Sequence, residues 1–374
     1  VRKQLLIILP TLAAGGTTRI VMSVSRRLME SGWSITLTTL FPTPDAPVSP
    51  VEPGMTFAPL VPAGRRRQIK ALFGLTRLAR AHDVVLAAQE IAATNYGWLA
   101  SMIACRPFIS WTHVAYSRLG SLLPPGHDSI ARWVYRRAQC IVFPSEGAAE
   151  SLAQALRCRR PPHWWVIPNF IELPTPEAST SWRSEWDPWF RRPVLLTVAR
   201  LAPQKALDRL LRAHRSLLDR GIEHHLIIVG TGPEKGALEA EVERLGVGST
   251  TLFAGHVDDP TPFYQKATVF GMCSRYEGFG LTLIEAMSAG LPVVAMDCES
   301  GPREVLDGGK AGVLTPDSDE GAFTDALAHL LTDDTARSHY AVLGRARAAT
   351  YTSERIMPQW EDLLLRVTAK PSMP

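Results

Sequence analysis

The sequence predicts an α/β protein built from two doubly wound parallel-sheet domains, on three observations. The chain has 374 residues, more than the roughly 250 to 300 that a single hydrophobic core serves. Strand-like apolar runs alternate with helical patterns along most of its length, as expected of βαβ units. A proline-, serine- and tryptophan-rich break, ELPTPEASTSWRSEWDPWFRRP from Glu172 to Pro193, separates one such series from a second.

The elements follow in order. The opening VRKQLLIILP is too short to span a membrane and has no small-residue cleavage site, so it is expected to be a buried first strand. TTRIVMSVSRRLMESG carries a helical period, and SITLTTLF, DVVLAAQ, FISWTHV and CIVFPS read as further strands. After the break, PVLLTVAR, HHLIIVGTG, TTLFAGHV, ATVFGMCS, LPVVAMD and AGVLT supply a second sheet. The stretch SERIMPQWEDLLLRVTA, residues 353–369, is amphipathic apart from its proline and has no strand after it, so it is expected to cross back onto the first domain. The expected boundaries are a first domain over 1–172, a linker over 173–190, a second domain over 191–352 and the returning helix over 353–374.

Composition narrows the function classes. An apolar share of 46% with 20% charged residues is that of a soluble globular protein. The five cysteines, Cys105, Cys140, Cys158, Cys273 and Cys298, form no close pair, so neither a zinc site nor a disulfide framework is indicated and a reducing cytoplasm fits. Charge is uneven: residues 1–190 hold 20 Lys/Arg against 12 Asp/Glu (+8), and the remainder 20 against 24 (−4). The first half should therefore meet the more anionic partner, with a solvated basic surface as the alternative.

The motif with most chemistry is EGFGLTLIEAMSAGLPVVAMD, Glu277–Asp297. ATVFGMCS should be a buried strand, SRYEGFG the turn at its carboxyl end and LTLIEAMSAG a helix stopped at Gly290 and Pro292. Gly278 and Gly280 let the backbone of Phe279 to Thr282 approach an anion at the helix start, which favours phosphate. Glu277 and Glu285 flank that anion, and carboxylates take paired hydrogen bonds from neighbouring sugar hydroxyls. TVARLAPQKALDRLL places Arg200 and Lys205 in a second turn, where a guanidinium fork and a point charge can hold phosphate without a metal; a solvated pair is the alternative. LLIILPTLAAGGTTRIVMSV is strand, loop, Gly15-Gly16 and helix, lacking both the dinucleotide fingerprint and the ATP-loop ending; it is either a close-approach loop or a tight turn. No metal ligand set stands out.

Taken together, the first strand with Gly15-Gly16, Arg200 with Lys205, GTGPEKGALEAEVERLG, FAGHV and EGFGLTLIEAMSAGLPVVA resemble the retaining glycosyltransferase family 4 over most of the chain. The resemblance implies a GT-B fold, two Rossmann-like domains facing across a cleft, with no cofactor or metal. It implies catalytic roles for His113, Arg200, Lys205 and Glu277: Arg200 and Lys205 on the nucleotide diphosphate, Glu277 on the sugar hydroxyls, and His113, in SWTHVAYS, directed at the donor sugar. It further implies donor binding by Gly15, Gly16, Phe279, Gly280, Leu281, Thr282 and Glu285, the last on the ribose, and a base resting on Gly255, His256 and Val257. Asn169 resembles a domain-crossing asparagine, with an Asx-turn as its alternative role.

Ser300-Gly301-Pro302 and Glu304, in AMDCESGPREVL, are similar to members that use UDP-linked hexoses or N-acetylhexosamines, so UDP is expected over GDP; a loop capping a strand is the alternative. The acceptor is expected on the first domain, as a glycan or a polyprenyl-diphosphate-linked sugar. AGRRRQIKALFGLTRLAR, residues 63–80, sets Ile69, Leu72, Phe73 and Leu78 against arginines, either as a seat on the inner, anionic membrane face or as a helix packed on its own sheet. A UDP-N-acetylglucosamine 2-epimerase and a non-catalytic nucleotide-sugar binder remain the alternative functions. A nicotinamide dehydrogenase and a nucleic-acid binder are disfavoured by the missing glycine fingerprint and RNA-binding aromatic motif.

Overall fold

The computed structural model describes residues 2–13, 15–42, 50–60, 67–117, 126–172 and 182–369, with the side chains of 67–69 outside the description. The chain divides into two compact units, residues 1–170 with 353–374, and residues 171–352. Each holds a wholly parallel sheet.

In the first unit the elements are β1 (Gln4–Leu9), α1 (Gly16–Glu30), β2 (Ser34–Thr39), β3 (Thr56–Phe57), α2 (Arg67–Arg80), β4 (Val84–Ala87), α3 (Ala92–Ala104), β5 (Phe108–Trp111), α4 (His127–Tyr135), β6 (Cys140–Phe143), α5 (Glu146–Leu156) and β7 (Trp164–Val166). Strand order is β3-β2-β1-β4-β5-β6-β7, so the direction of winding reverses between β1 and β4. Parallel strands covered on both faces must be apolar throughout, and Leu5 to Leu9 are fully buried. Each such side chain contributes roughly 1.5–3 kcal/mol. The short edge strands β3 and β7 carry too few residues to show a period, and no sequence pattern announced them.

The second unit runs β8 (Val194–Val198), α6 (Leu207–Asp219), β9 (His225–Val229), α7 (Lys235–Leu245), β10 (Thr251–Gly255), α8 (Thr261–Lys266), β11 (Val269–Met272), α9 (Leu281–Ser288), β12 (Val293–Asp297), α10 (Pro302–Val305), β13 (Val313–Pro316), α11 (Glu320–Thr332) and α12 (Asp334–Ala348). Its order, β10-β9-β8-β11-β12-β13, reverses between β8 and β11. Residues 173–181 of the expected linker lie outside the described residues. Ser184–Arg191 form a 3-10 helix whose Trp186 is buried with its ring 4.7 Å from that of Phe263, so this stretch packs into the second unit's core.

The last helix, α13 (Ser353–Ala369), tolerates Pro358 and belongs to the first unit. It packs on α1, Arg27 Nη2 donates to Ser353 Oγ at 2.8 Å, and the buried Trp360 lies 4.6 Å from Trp111. In α2, Leu72 and Leu78 pack inward on the core and only Phe73 of the apolar residues named above is exposed; residues 61–66 and the Ile69 side chain lie outside the described residues. Leu72 and Leu78 thus pack this helix on its own core, as the inner stripe of an amphipathic helix does, and leave Phe73 on its outer face.

Candidate active site

Ligands of open α/β sheets bind at the carboxyl edge where the winding reverses. In the second unit that point lies over β8 and β11, and the turns leaving these two strands are the ones that carry Arg200, Lys205 and Glu277. Because β8 and β11 are neighbours, residues 72 positions apart meet: Lys205 Nζ donates to Glu277 Oε1 at 2.5 Å. The Glu277 side chain is 7% exposed and that of Lys205 20%, so the pair is largely withdrawn from water. Arg200 is exposed; its carbonyl accepts from the Ala202 amide at 2.9 Å, and its guanidinium makes no hydrogen bond or ion pair among the described residues.

The backbone of the two turns is braced. Lys205 closes a 3-10 turn, Pro203–Lys205, and Ala206 follows with φ 47°. The buried Cys273 thiol donates to the carbonyls of Ala206 at 3.2 Å and Lys205 at 3.5 Å, and burial pushes its pKa up to about 12, so it stays a thiol. Gln204 Nε2 donates to the Tyr276 carbonyl at 2.9 Å, and the Arg275 amide to the Gln204 carbonyl at 2.8 Å. Behind Arg200, Gly230 has φ +138°, and a Cβ there would overlap the Ala199 carbonyl oxygen, so only glycine lets the β9 turn lie against the β8 turn.

Helix α9 starts at Gly280 (φ 97°), with no side-chain cap and no acidic residue in its first turn. Its first amides therefore present an uncapped positive end, beside a small cavity lined by Lys205, Ser274 and Thr282 among others. Phe279 is buried with its ring edge-on to Tyr351, and Leu281 packs on the core, so both contribute backbone to the site's edge. Glu285, one turn into α9, accepts from the Tyr264 hydroxyl at 2.8 Å; the two glutamates thus have separate partners. The stretch 299–304 braces the glycine turn: Tyr276 and Glu299 form a bridge, Ser300 Oγ donates to the Gly278 carbonyl at 3.3 Å, and a Cβ on Gly301 would lie 2.5 Å from the Phe279 oxygen. Pro302 and Glu304 lie in α10, where the Glu304 carbonyl accepts from Arg347 Nη2 at 2.6 Å.

At the end of β10, Gly255 has φ +76°, Val257 packs on the core, and the half-exposed His256 pairs with Asp258 at 3.2 Å. Among the described residues, no three His, Cys, Asp or Glu side chains are grouped to hold a metal ion.

The first unit holds the other expected residues. Gly15 has φ 169°, an extended value open to any residue, Gly16 begins α1, and a Cβ on either would meet nothing within 4 Å among the described residues. The fold itself therefore does not require glycine at these positions. His113, just beyond β5, is buried, with Nε2 3.1 Å from the Ala88 carbonyl and its ring 4.6 Å from Trp111. Burial lowers its pKa to about 3, so the ring is neutral, donates through Nε2 and keeps Nδ1 as acceptor. Glu90 was not singled out from sequence: one of its oxygens accepts from the backbone amides of both His113 and Val114. Burial pushes the Glu90 carboxyl up against the pull of those amides. Asn169 is buried and its Oδ1 has no hydrogen-bond partner among the described residues, so the Asx-turn is not formed.

A pair of doubly wound units with a cationic turn and an uncapped glycine-helix start at a reversal point is the GT-B fold. Residues 14–174 match the family described as Glycosyltransferase Family 4, and residues 181–347 the one described as Glycosyl transferases group 1. The chain belongs to glycosyltransferase family 4. It is 31% identical over 170 residues to the amylovoran biosynthesis glycosyltransferase AmsD of Erwinia amylovora, covering 46% of this chain and 47% of that protein. With the lipopolysaccharide core biosynthesis glycosyltransferase LpsE of Rhizobium meliloti it shares 30% over 231 residues, 62% of this chain and 65% of the other. The chain spans about half the length of most of the curated relatives it matches. The structure of Anabaena HepE superposes with a TM-score of 0.82 at 19% identity, covering 98% of this chain and all of that one, which speaks for the fold.

Proposed function

We propose that the chain transfers a hexose or N-acetylhexosamine, with retained anomeric configuration, from a nucleotide sugar to a glycan or lipid-linked acceptor, in cell-surface polysaccharide or glycoconjugate synthesis. UDP is the proposed nucleotide, and no metal takes part. The observation that carries this reading is the Lys205–Glu277 pair set between exposed Arg200 and the uncapped start of α9, because it groups cationic, amide and carboxylate partners for one phosphorylated sugar.

The activities for which relatives are named support it. HepE was solved with UDP and glucose. A Campylobacter jejuni relative, 27% identical, is named as an N-acetylgalactosaminyltransferase acting on a diphospho-undecaprenol-linked sugar. A Mycolicibacterium smegmatis relative, 33% identical, is named as GDP-mannose-dependent, so the base is the part of this reading that a titration decides.

In the proposed reaction the acceptor hydroxyl attacks the anomeric carbon on the face from which the diphosphate departs. The carbon–oxygen bond to phosphate breaks, the new glycosidic bond forms, and the hydroxyl proton passes to the departing phosphate oxygen. Arg200, Lys205 and the α9 amides stabilise the charge that grows on that oxygen. Glu277 holds sugar hydroxyls while paired to Lys205, Glu285 holds the ribose, and the backbone at Gly255, His256 and Val257 carries the base. Gly15, Gly16 and His113 are the proposed ligand-facing positions of the first unit, His113 through Nδ1.

Screening nucleotide sugars for slow hydrolysis and transfer tests the reading. Arg200→Ala and Lys205→Ala should each lower turnover by roughly 100-fold or more. Near-normal transfer by both variants, or formation of an epimer from donor alone, would overturn it, and binding of GDP without UDP would reassign the base.

A further inference from the structure

We propose that the outer surface of α2, α3 and α4 docks the first unit onto an anionic phospholipid bilayer. Right-handed crossovers put these helices on one face of the sheet; α2 packs on α3 and α3 on α4, and all three feed one core. The central helix, α3, has no charged residue, and its outward positions are Leu99, Met102 (57% exposed) and Ile103 (48%). Such a stripe is rare on a surface that meets only water.

Its neighbours frame the stripe with cations. On α2, Phe73 is 76% exposed and shares its helix face with Lys70, Arg77 and Arg80. On α4, Ile130 and Trp133 (45%) project beside Arg137, whose guanidinium lies 4.3 Å over the Trp133 ring, and Trp133 meets Trp98 of α3 edge-on at 4.9 Å. Asp128 is the one acidic residue in the three helices, and it is held by Arg132 at 2.7 Å and Tyr116 at 2.8 Å. An apolar centre, an aromatic at its border and flexible cations around it match the acyl, interfacial and headgroup layers of an anionic membrane. A second copy of the same face would oppose like charges, which disfavours self-association.

The surface lies outside the residues assigned to the donor, and only its purpose, meeting a lipid-linked acceptor, rests on the function proposed above. The test is cosedimentation of the full chain with vesicles of phosphatidylcholine alone and of phosphatidylcholine mixed with phosphatidylglycerol. Binding is expected to the mixed vesicles only and to weaken with salt. M102E/I103E should abolish it, and R77Q/R137Q should weaken it about thirtyfold, from about fivefold per charge. Donor hydrolysis in vesicle-free buffer should stay unchanged in both variants, so a failed donor assay and a failed vesicle assay refute different readings. Absence of wild-type binding to mixed vesicles, binding unchanged in both variants, or a wild-type dimer dissolved by M102E/I103E would overturn the proposal, the last assigning the face to a second copy.

Discussion

Removing the Tyr264 hydroxyl tests the proposed hold of Glu285 on a ribose. Tyr264 is buried on α8, 21 positions before Glu285, and donates to its Oε2 at 2.8 Å. A hydrogen bond to a charged group is worth about 1.5–3 kcal/mol, but Tyr264→Phe leaves the carboxylate partly wet and able to find water. The cost that reaches the ligand is that of ordering a less firmly held glutamate on binding, about 0.5–1.5 kcal/mol, or roughly twofold to tenfold in affinity. The ring stays in contact with Phe270, 5.9 Å away, so the fold should survive. Calorimetric titration with UDP and with its 2′,3′-dideoxy analogue separates the outcomes. UDP should bind Tyr264→Phe more weakly, whereas the analogue, which gives Glu285 nothing to hold, should bind variant and wild type alike. Unchanged UDP affinity, or an equal loss for both ligands, would refute the coupling between Tyr264, Glu285 and ribose.

Three further outcomes follow from the same geometry. Gly230→Ala should cost at least ~2 kcal/mol in unfolding experiments, since its Cβ meets the Ala199 carbonyl at positive φ, whereas Gly16→Ala should leave the melting temperature unchanged yet lower transfer at least about tenfold; equal stability losses would refute the contrast. His214 has Nδ1 2.8 Å from His224 Nε2 and Nε2 2.9 Å from Thr250, and burial, aided by neighbouring positive charge, lowers its pKa from 6.5 to about 3, with His224 also lowered. A depressed histidine binds its proton first in the unfolded chain, so stability should be full above pH 6.5 and fall towards pH 3; thermal unfolding with a flat profile across that window would contradict it. Lys205→Met and Glu277→Gln should each cost about 2–3 kcal/mol by stranding a largely buried partner, and the double variant less than their sum; strict additivity would mean that the pair is not coupled.

Much of this was legible before any coordinate. Runs such as QLLIIL and LIIV announced buried parallel strands because a strand covered on both faces has no use for polar residues. The turn Ser274–Gly280 and the helix after it were legible from glycines ahead of an apolar 3.6 period, and α13 from its amphipathic stripe despite Pro358. The stripe of α2 was legible as amphipathic, but not that Leu72 and Leu78 face the core, and the exposed outer positions of α3 were not legible because a buried and an exposed apolar helix share one pattern.

What the sequence determined by itself is local: which segments are strands, where helices begin, and which turns are rich in charge or glycine. Tertiary structure alone decided that Lys205 neutralises Glu277, that Tyr264 steadies Glu285, that Glu90 fixes the His113 backbone and that Cys273 pins the Lys205 turn. Sheet order brings such partners together across 21 to 72 positions, and periodicity, which reports only on near neighbours, holds no record of that order.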